Sequence, residues 1–343
     1  MMNKRLKQGS TFLLAVALTF PLLTLPGAKA ASAIDTGQKC SIEFDISGNS
    51  SELLSASIPV NLYKVASVDE SGNYTVTDAF TGLDLSSVSA DNLDTAAATW
   101  AARAKEAQGK LTDSDGKTVV EPTETVTLQN GRGTATGLKT GLYLVDTPKV
   151  ITPNYTYTFT PYLVSLPTNN YYNNDQTSDD WIYDLTKEYN SAVGLKPEQH
   201  VRYGKLVINK ELEDHNATFG DKATFVFQID ITTPDNKKET RIEELTFDAA
   251  GSHSVTIEKI PAGSHVTVTE VYSGASYELA SAKSQETDII ANPEKKSEVE
   301  FRPAEVSFIN KHDGRTNGGY GIRNNFKLDE TDQYQYTEPA AKN

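Results

Sequence analysis

Cysteine is nearly absent from this chain. Cys40 is the only one in 343 residues, so no disulfide can form within the molecule. It is read as a buried small hydrophobe at a strand start. The residues before it, Thr36-Gly37-Gln38-Lys39, are not the Leu-small-small-Cys box that lipidation requires. Positive charge is also scarce: 32 Lys and Arg stand against 46 Asp and Glu, a formal charge of −14. That balance argues against nucleic acid and anionic membrane as partners. The five histidines (His200, His215, His253, His265, His312) show no metal-ligand spacing and accompany no Ser or Cys nucleophile motif. No metal and no cofactor is therefore expected, and the sequence offers no external-substrate enzyme.

A long apolar run occurs only near the N-terminus. Residues 1–10 are basic, Thr11–Leu25 is apolar but short and broken by Pro21, and Ala28-Lys29-Ala30 is a small-x-small cleavage site. This is a signal-peptide pattern over residues 1–30, not a transmembrane span. Cleavage after Ala30 removes Lys4, Arg5, Lys7 and Lys29 and takes the formal charge from −14 to −18. The expected location is extracellular. An exported chain without disulfides points to another covalent source of robustness.

What remains is rich in Thr, Val, Tyr and Gly and falls into short alternating runs, the mark of an all-β protein. About 310 residues suit two domains, read as tandem immunoglobulin-like β-sandwiches at 36–190 and 204–312 with a linker at 191–203. In the second, GKLVINKEL, ATFVFQIDI, EELTF, HSVTIEKI, HVTVTEVY, SYELASA, SEVEFRP and AEVSFINKH read as strands. In the first, a helical insert is marked by Leu93, Ala97, Trp100, Ala104 and Ala107 after a Ser89 cap, and is read as a lid over one sandwich edge. Residues 168–180 form a polar loop without EF-hand spacing. Residues 313–343 are read as a hairpin turning at Gly318-Gly319 and a flexible tail. TVTLQNGRGTATGLKTGLYLVD and LTFDAAGSHSVTIEKIPAGSHVTVTE echo one another, which implies two related sandwiches.

Three polar residues stand where the alternation of the second sandwich calls for apolar ones. Lys210 follows Leu206 and Ile208 on one face, Glu270 follows Val266 and Val268, and Asn310 follows Val306 and Phe308. Side chains two apart in a strand point the same way, so an amine, a carboxyl and a carboxamide aim into one core. Burial favours the neutral amine, which is a nucleophile, and the neutral carboxyl, which can polarise the Asn310 carbonyl and shuttle a proton. Three readings stay open on parity alone: a Lys210–Asn310 amide cross-link with Glu270 as catalyst, a buried salt bridge, or strand-end groups reaching water.

The order KLVINKEL, TFVFQIDI, IEKIPAGSHVTVTEV, VSFINKH resembles the collagen-adhesin B-type (CnaB) domain of Gram-positive pilins over about residues 203–312. The resemblance implies an autocatalytic isopeptide bond between Lys210 and Asn310 with Glu270 as proton shuttle. Alternative partners are Lys205, placed on the same face deeper in the strand, and Asn324 or Asn325. LYKVA, GLYLVD, TPYLVSLP and WIYD resemble the N-terminal domain of major pilins, with Lys64 and Asp146 as candidates for a second cross-link. The resemblance also implies sortase-joined neighbours. The Tyr-Pro-Lys acceptor stretch is missing, however, leaving Lys187 and Lys196 as substitute acceptors, and no Leu-Pro-x-Thr-Gly signal with an apolar segment and basic tail is found.

The expected function is a structural subunit of a cell-surface pilus or stalk, partnered by other pilin or surface subunits, with a sortase as a further candidate partner. The alternative is an adhesin for a host protein or glycan, for which the Tyr-rich loop TNNYYNND offers stacking surfaces.

Overall fold

The computed structural model describes residues 33–86, 93–169, 181–186, 194–219, 222–294, 301–314, 325–328 and 334–337. The segment read as a signal peptide, Ser89, Lys187, Asn324 and nearly all of the stretch read as loop 168–180 lie outside the described residues. The chain is mainly β-sheet and divides into two compact units. One comprises residues up to Thr152 with Tyr157–Gln199, and the other Pro153–Thr156 with His200 onward. Within the segment read as a linker, Pro197–Val201 is a strand. No helix among the described residues is long and apolar enough to cross a membrane.

In the first unit, β1 (Cys40–Asp45), β2 (Ile58–Val68), β3 (Tyr74–Val76), β4 (Glu124–Leu128), β5 (Arg132–Leu138), β6 (Gly141–Asp146), β7 (Tyr162–Leu166) and β8 (Asp184–Leu185) build two sheets. One has the order β3-β2-β6-β7 with β4 also on β2, and the other is β8-β1-β5. β6 is buried on both faces. Its Leu142 and Leu144 join Tyr63, Val65 and Leu163 in one cluster with the helix α1 (Leu93–Gly109). Trp100, Ala104 and Ala107 of α1 are buried in that cluster, whereas Ala97 is exposed. The helix thus covers the face of this sheet near its β7 edge, and its apolar stripe is narrower than the sequence spacing indicates. Cys40 is buried at the start of β1, where burial pushes its thiol pKa up to about 12.

The second unit carries β9 (Tyr203–Leu212), β10 (Ala223–Thr232), β11 (Lys238–Phe247), β12 (Gly251–Pro261), β13 (His265–Tyr272), β14 (Tyr277–Leu279), β15 (Ser284–Asp288) and β16 (Ala304–His312). Two four-stranded sheets, β12-β9-β16-β14 and β11-β10-β13-β15, face each other. Alternation decides which residues fill the space between them. Phe225, Phe227, Ile229 and Ile231 of β10 are buried, as are Leu206 and Ile208 of β9, Val266 and Val268 of β13, and Val306 and Phe308 of β16. The Phe225 and Phe247 rings meet edge to face at 5.6 Å, and Phe227 and Phe308 are tilted at 5.2 Å. SEVEFRP differs from expectation, because its described part, Phe301–Pro303, is not strand. The polar SQETD (Ser284–Asp288) is strand instead, which an edge position allows because one ladder and a few inward side chains suffice there.

The two units share one connectivity. In each, the first strand pairs with a later strand antiparallel (β1 with β5, β9 with β12) and with the last strand parallel (β1 with β8, β9 with β16). In the opposite sheet the second strand pairs with β4 and β6 in the first unit, where β2 also carries β3, and with β11 and β13 in the second, where it is β10. The internal echo in the sequence covers β5–β6 and β12–β13, the strand pairs that step from one sheet to the other. At the C-terminal end of the second unit, Asn325–Leu328 and Tyr334–Thr337 form an antiparallel hairpin, C-terminal to Gly318-Gly319.

Candidate functional site

Lys210, Glu270 and Asn310 converge inside the second sandwich. β9 and β16 are parallel neighbours, with Lys210 opposite Phe308 and Leu212 opposite Asn310. The amine and carboxamide therefore project from adjacent strands of one sheet, while Glu270 arrives from β13 in the facing sheet. Their exposures are 1 %, 1 % and 0 %. That excludes the reading in which strand-end side chains reach water.

Lys210 Nζ donates to Asn310 Oδ1 at 2.5 Å and to the Glu211 carbonyl at 3.1 Å. Asn310 Nδ2 donates to Glu270 Oε1 at 2.7 Å. Glu270 Oε2 stands 3.6 Å from Lys210 Nζ and makes no hydrogen bond among the described residues. The Phe225 ring centroid lies 4.6 Å from Nζ. Burial lowers the Lys210 pKa to about 8 against the opposing pull of Glu270. Burial likewise raises Glu270, opposed by Lys210 and by hydrogen bonds from Ser273 and Asn310. Both shifts favour the neutral forms, the signature of titratable groups placed in an apolar core.

One detail differs from the sequence expectation, which set Glu270 against the Asn310 carbonyl. The carboxylate faces Nδ2, and the carbonyl oxygen faces Lys210. The reason is donor–acceptor matching: an ammonium only donates and a carboxylate only accepts, so each takes the complementary end of the carboxamide.

The other candidates are not brought together. Lys205 is five residues from Lys210 and so on the opposite face of β9, half-buried and outward, which corrects its placement on the same face. In the first unit Lys64 is opposite Tyr143 while Asp146 is opposite Asn61. An offset of three residues along β2 puts Lys64 and Asp146 on opposite faces of the sheet. Asp146 accepts from Gln108 Nε2 of α1 at 2.6 Å. The β1 strand, equivalent to β9, aims Cys40, Ile42 and Phe44 inward, all fully buried and apolar. The amine that a matching cross-link needs is missing from that face. Lys196 is exposed, and Asn325 lies in the terminal hairpin. No group of His, Cys, Asp and Glu among the described residues is arranged to hold a metal.

Fold and site define a tandem β-sandwich protein with a buried amine, carboxyl and carboxamide in its second sandwich. A family model described as a domain of unknown function, DUF5979, matches residues 206–313, a span containing all three. No curated protein matches the chain. Among solved structures it is similar to the Bacillus anthracis TIE protein at 14% identity and TM-score 0.27, over 55% of this chain and 28% of that one. It is similar to the major pilin SpaD of Corynebacterium diphtheriae at 13% identity and TM-score 0.24, over 81% and 99%. It is also similar to the minor pilin GBS52 of Streptococcus agalactiae at 15% identity and TM-score 0.22, over 78% and 87%.

Proposed function

We propose that this chain is a structural subunit of a bacterial cell-surface pilus or stalk, exported by its N-terminal segment and stiffened by a self-made amide between Lys210 and Asn310. The observation that carries the reading is the fully buried contact of Lys210 Nζ with the Asn310 carboxamide beside Glu270. Buried ion pairs add little stability by themselves. Here the ammonium and carboxylate flank a third group that their neutral forms can convert.

The reaction balances without a cofactor. Lys210 passes a proton to Glu270, and the neutral Nζ attacks Asn310 Cγ. Glu270 then delivers that proton to Nδ2, the nitrogen that leaves as ammonia, and takes one from Nζ. An Nζ–Cγ bond replaces the Cγ–Nδ2 bond, and Glu270 ends protonated. Folding supplies the proximity, so the chain acts once, on itself.

The product suits a part that carries tension. The chain enters this sandwich through β9 and leaves through β16, and the new bond joins these two strands directly. The residues between them are bypassed by any pull on the ends. When single full-length molecules are stretched, the segment between Lys210 and Asn310 is expected to stay closed in the wild type. In Lys210→Met it is expected to release up to roughly 330–360 Å of extra contour length for its 100 residues. Equal lengths in both proteins would refute the mechanical role.

A further inference from the structure

The segment Leu279–Gln285 passes from one sheet of the second sandwich to the other in a few residues. It begins in β14, beside β16, and ends in β15, beside β13. Along the way it bonds to the strands that carry both Asn310 and Glu270. Leu279 is the ladder partner of Asn310 itself. The Ala280 N–H donates to the Ile309 carbonyl at 2.8 Å. The Ile309 N–H donates to Ser281 Oγ at 3.1 Å. The Lys283 carbonyl accepts from the Glu270 N–H at 3.0 Å. Gln285 sits opposite the inward-facing Val268 and so turns its side chain toward the facing sheet. Its Oε1 accepts from the Ser307 N–H at 3.2 Å and its Nε2 donates to the Ser307 carbonyl.

A carboxamide bonded to both backbone groups of one residue imitates a neighbouring strand. β16 needs that imitation, because β14 pairs only with its last turn of sequence, Asn310 to His312. Upstream of Asn310 the free side of β16 is held by Ser281 and Gln285. The register of Asn310 is therefore fixed by the same short segment that fixes the backbone of Glu270.

We infer that Leu279–Gln285 is a positioning strap for the cross-linking reaction, with Gln285 and Ser281 as positioning residues that hold the Asn310 carboxamide against Lys210 and Glu270. The inference rests on the cross-linking reading given above. Neither residue touches the reacting atoms. Their effect is on how often Cγ lies within attacking distance of Nζ, a quantity to which rates are steeply sensitive.

The test dilutes into buffer full chain that was synthesised and kept in denaturant and has never folded, follows folding by far-UV circular dichroism, and follows ammonia loss by intact mass over time. Wild type, Gln285→Ala, Ser281→Ala and Gln285→Glu are compared. Gln285→Ala is expected to reach the folded signal at the wild-type rate but to lose ammonia about ten- to a hundredfold more slowly. Ser281→Ala is expected to show a smaller slowing of the same kind. Gln285→Glu adds a readout that a merely structural role would not move. Its protonated form has the donor and acceptor of the carboxamide, so its rate relative to wild type should recover as pH falls through the carboxyl range. Ammonia loss at the wild-type rate in folded Gln285→Ala would overturn the strap. So would a Gln285→Glu ratio independent of pH, which decides the matter even if Gln285→Ala does not fold. No ammonia loss in the wild type would instead overturn the cross-linking reading and the strap with it.

Discussion

Replacing Lys210 by Met and Glu270 by Gln together is expected to lower the unfolding temperature of the second sandwich by roughly 20 °C or more. An Nζ–Cγ bond closes a loop of 100 residues. In the chain-entropy account such a closure stabilises by about 4–5 kcal/mol. A domain near this size shifts by about 4–8 °C per kcal/mol. The double substitution separates two accounts that the single one confuses. Removing Lys210 alone strands a buried carboxylate, which costs about 3–5 kcal/mol even in a simple salt bridge. Removing both charges of a simple salt bridge is often neutral or stabilising. In the double variant Met fills most of the lysine volume, and the Gln carbonyl still accepts from Asn310 Nδ2. The packing is kept, and what is lost is the possibility of the bond together with the two hydrogen bonds that Nζ donates. Scanning calorimetry of the full chain is expected to show one transition moving down and the other unmoved. A double variant as stable as wild type would show that the three groups form an ordinary ion pair.

Glu270→Gln alone is expected to fold and yet to retain its ammonia. Loss of a positioned general acid–base typically costs about 10²–10⁴-fold in rate. Its pH profile should also change shape. In the wild type the reactive state, neutral Lys210 with protonated Glu270, has the same proton count as the ion pair. The rate is therefore level while the pair holds one proton, and it falls when that proton is lost, above about pH 8. It falls again at low pH, below the raised Glu270 pKa, where both groups are protonated. In Glu270→Gln only the deprotonation of Lys210 matters, so the residual rate should rise with pH and then level off. First folding of chain kept in denaturant since synthesis, across this range with mass detection, distinguishes a bell from a single rise. A bell in the variant would remove Glu270 from the reaction.

Much of the site was legible in the sequence because its signal is local. Leu206-Val207-Ile208-Asn209-Lys210 alone shows where an amine turns inward, and the same parity works for Glu270 and Asn310. Neighbour relations are not local. That β9 and β16 lie side by side is a pairing across the whole domain, which no periodicity within either strand reveals. The first unit illustrates the cost. Lys64 and Asp146 each end an apolar run, but the β2–β6 register sets them on opposite faces. Ser284–Asp288 lacked the apolar alternation expected of a strand, since an edge strand needs little of it. Gln285 was accordingly not singled out. The available signal was its alignment, by alternation, with Thr287 and the buried Ile289.

The central claim is a covalent bond, and intact mass after denaturation tests it most directly. The wild-type protein is expected to weigh one ammonia less than its residues sum to, and proteolysis should yield a branched peptide joining Lys210 to Asn310. A mass equal to that of the residues, with Lys210 and Asn310 on separate peptides, would contradict the account.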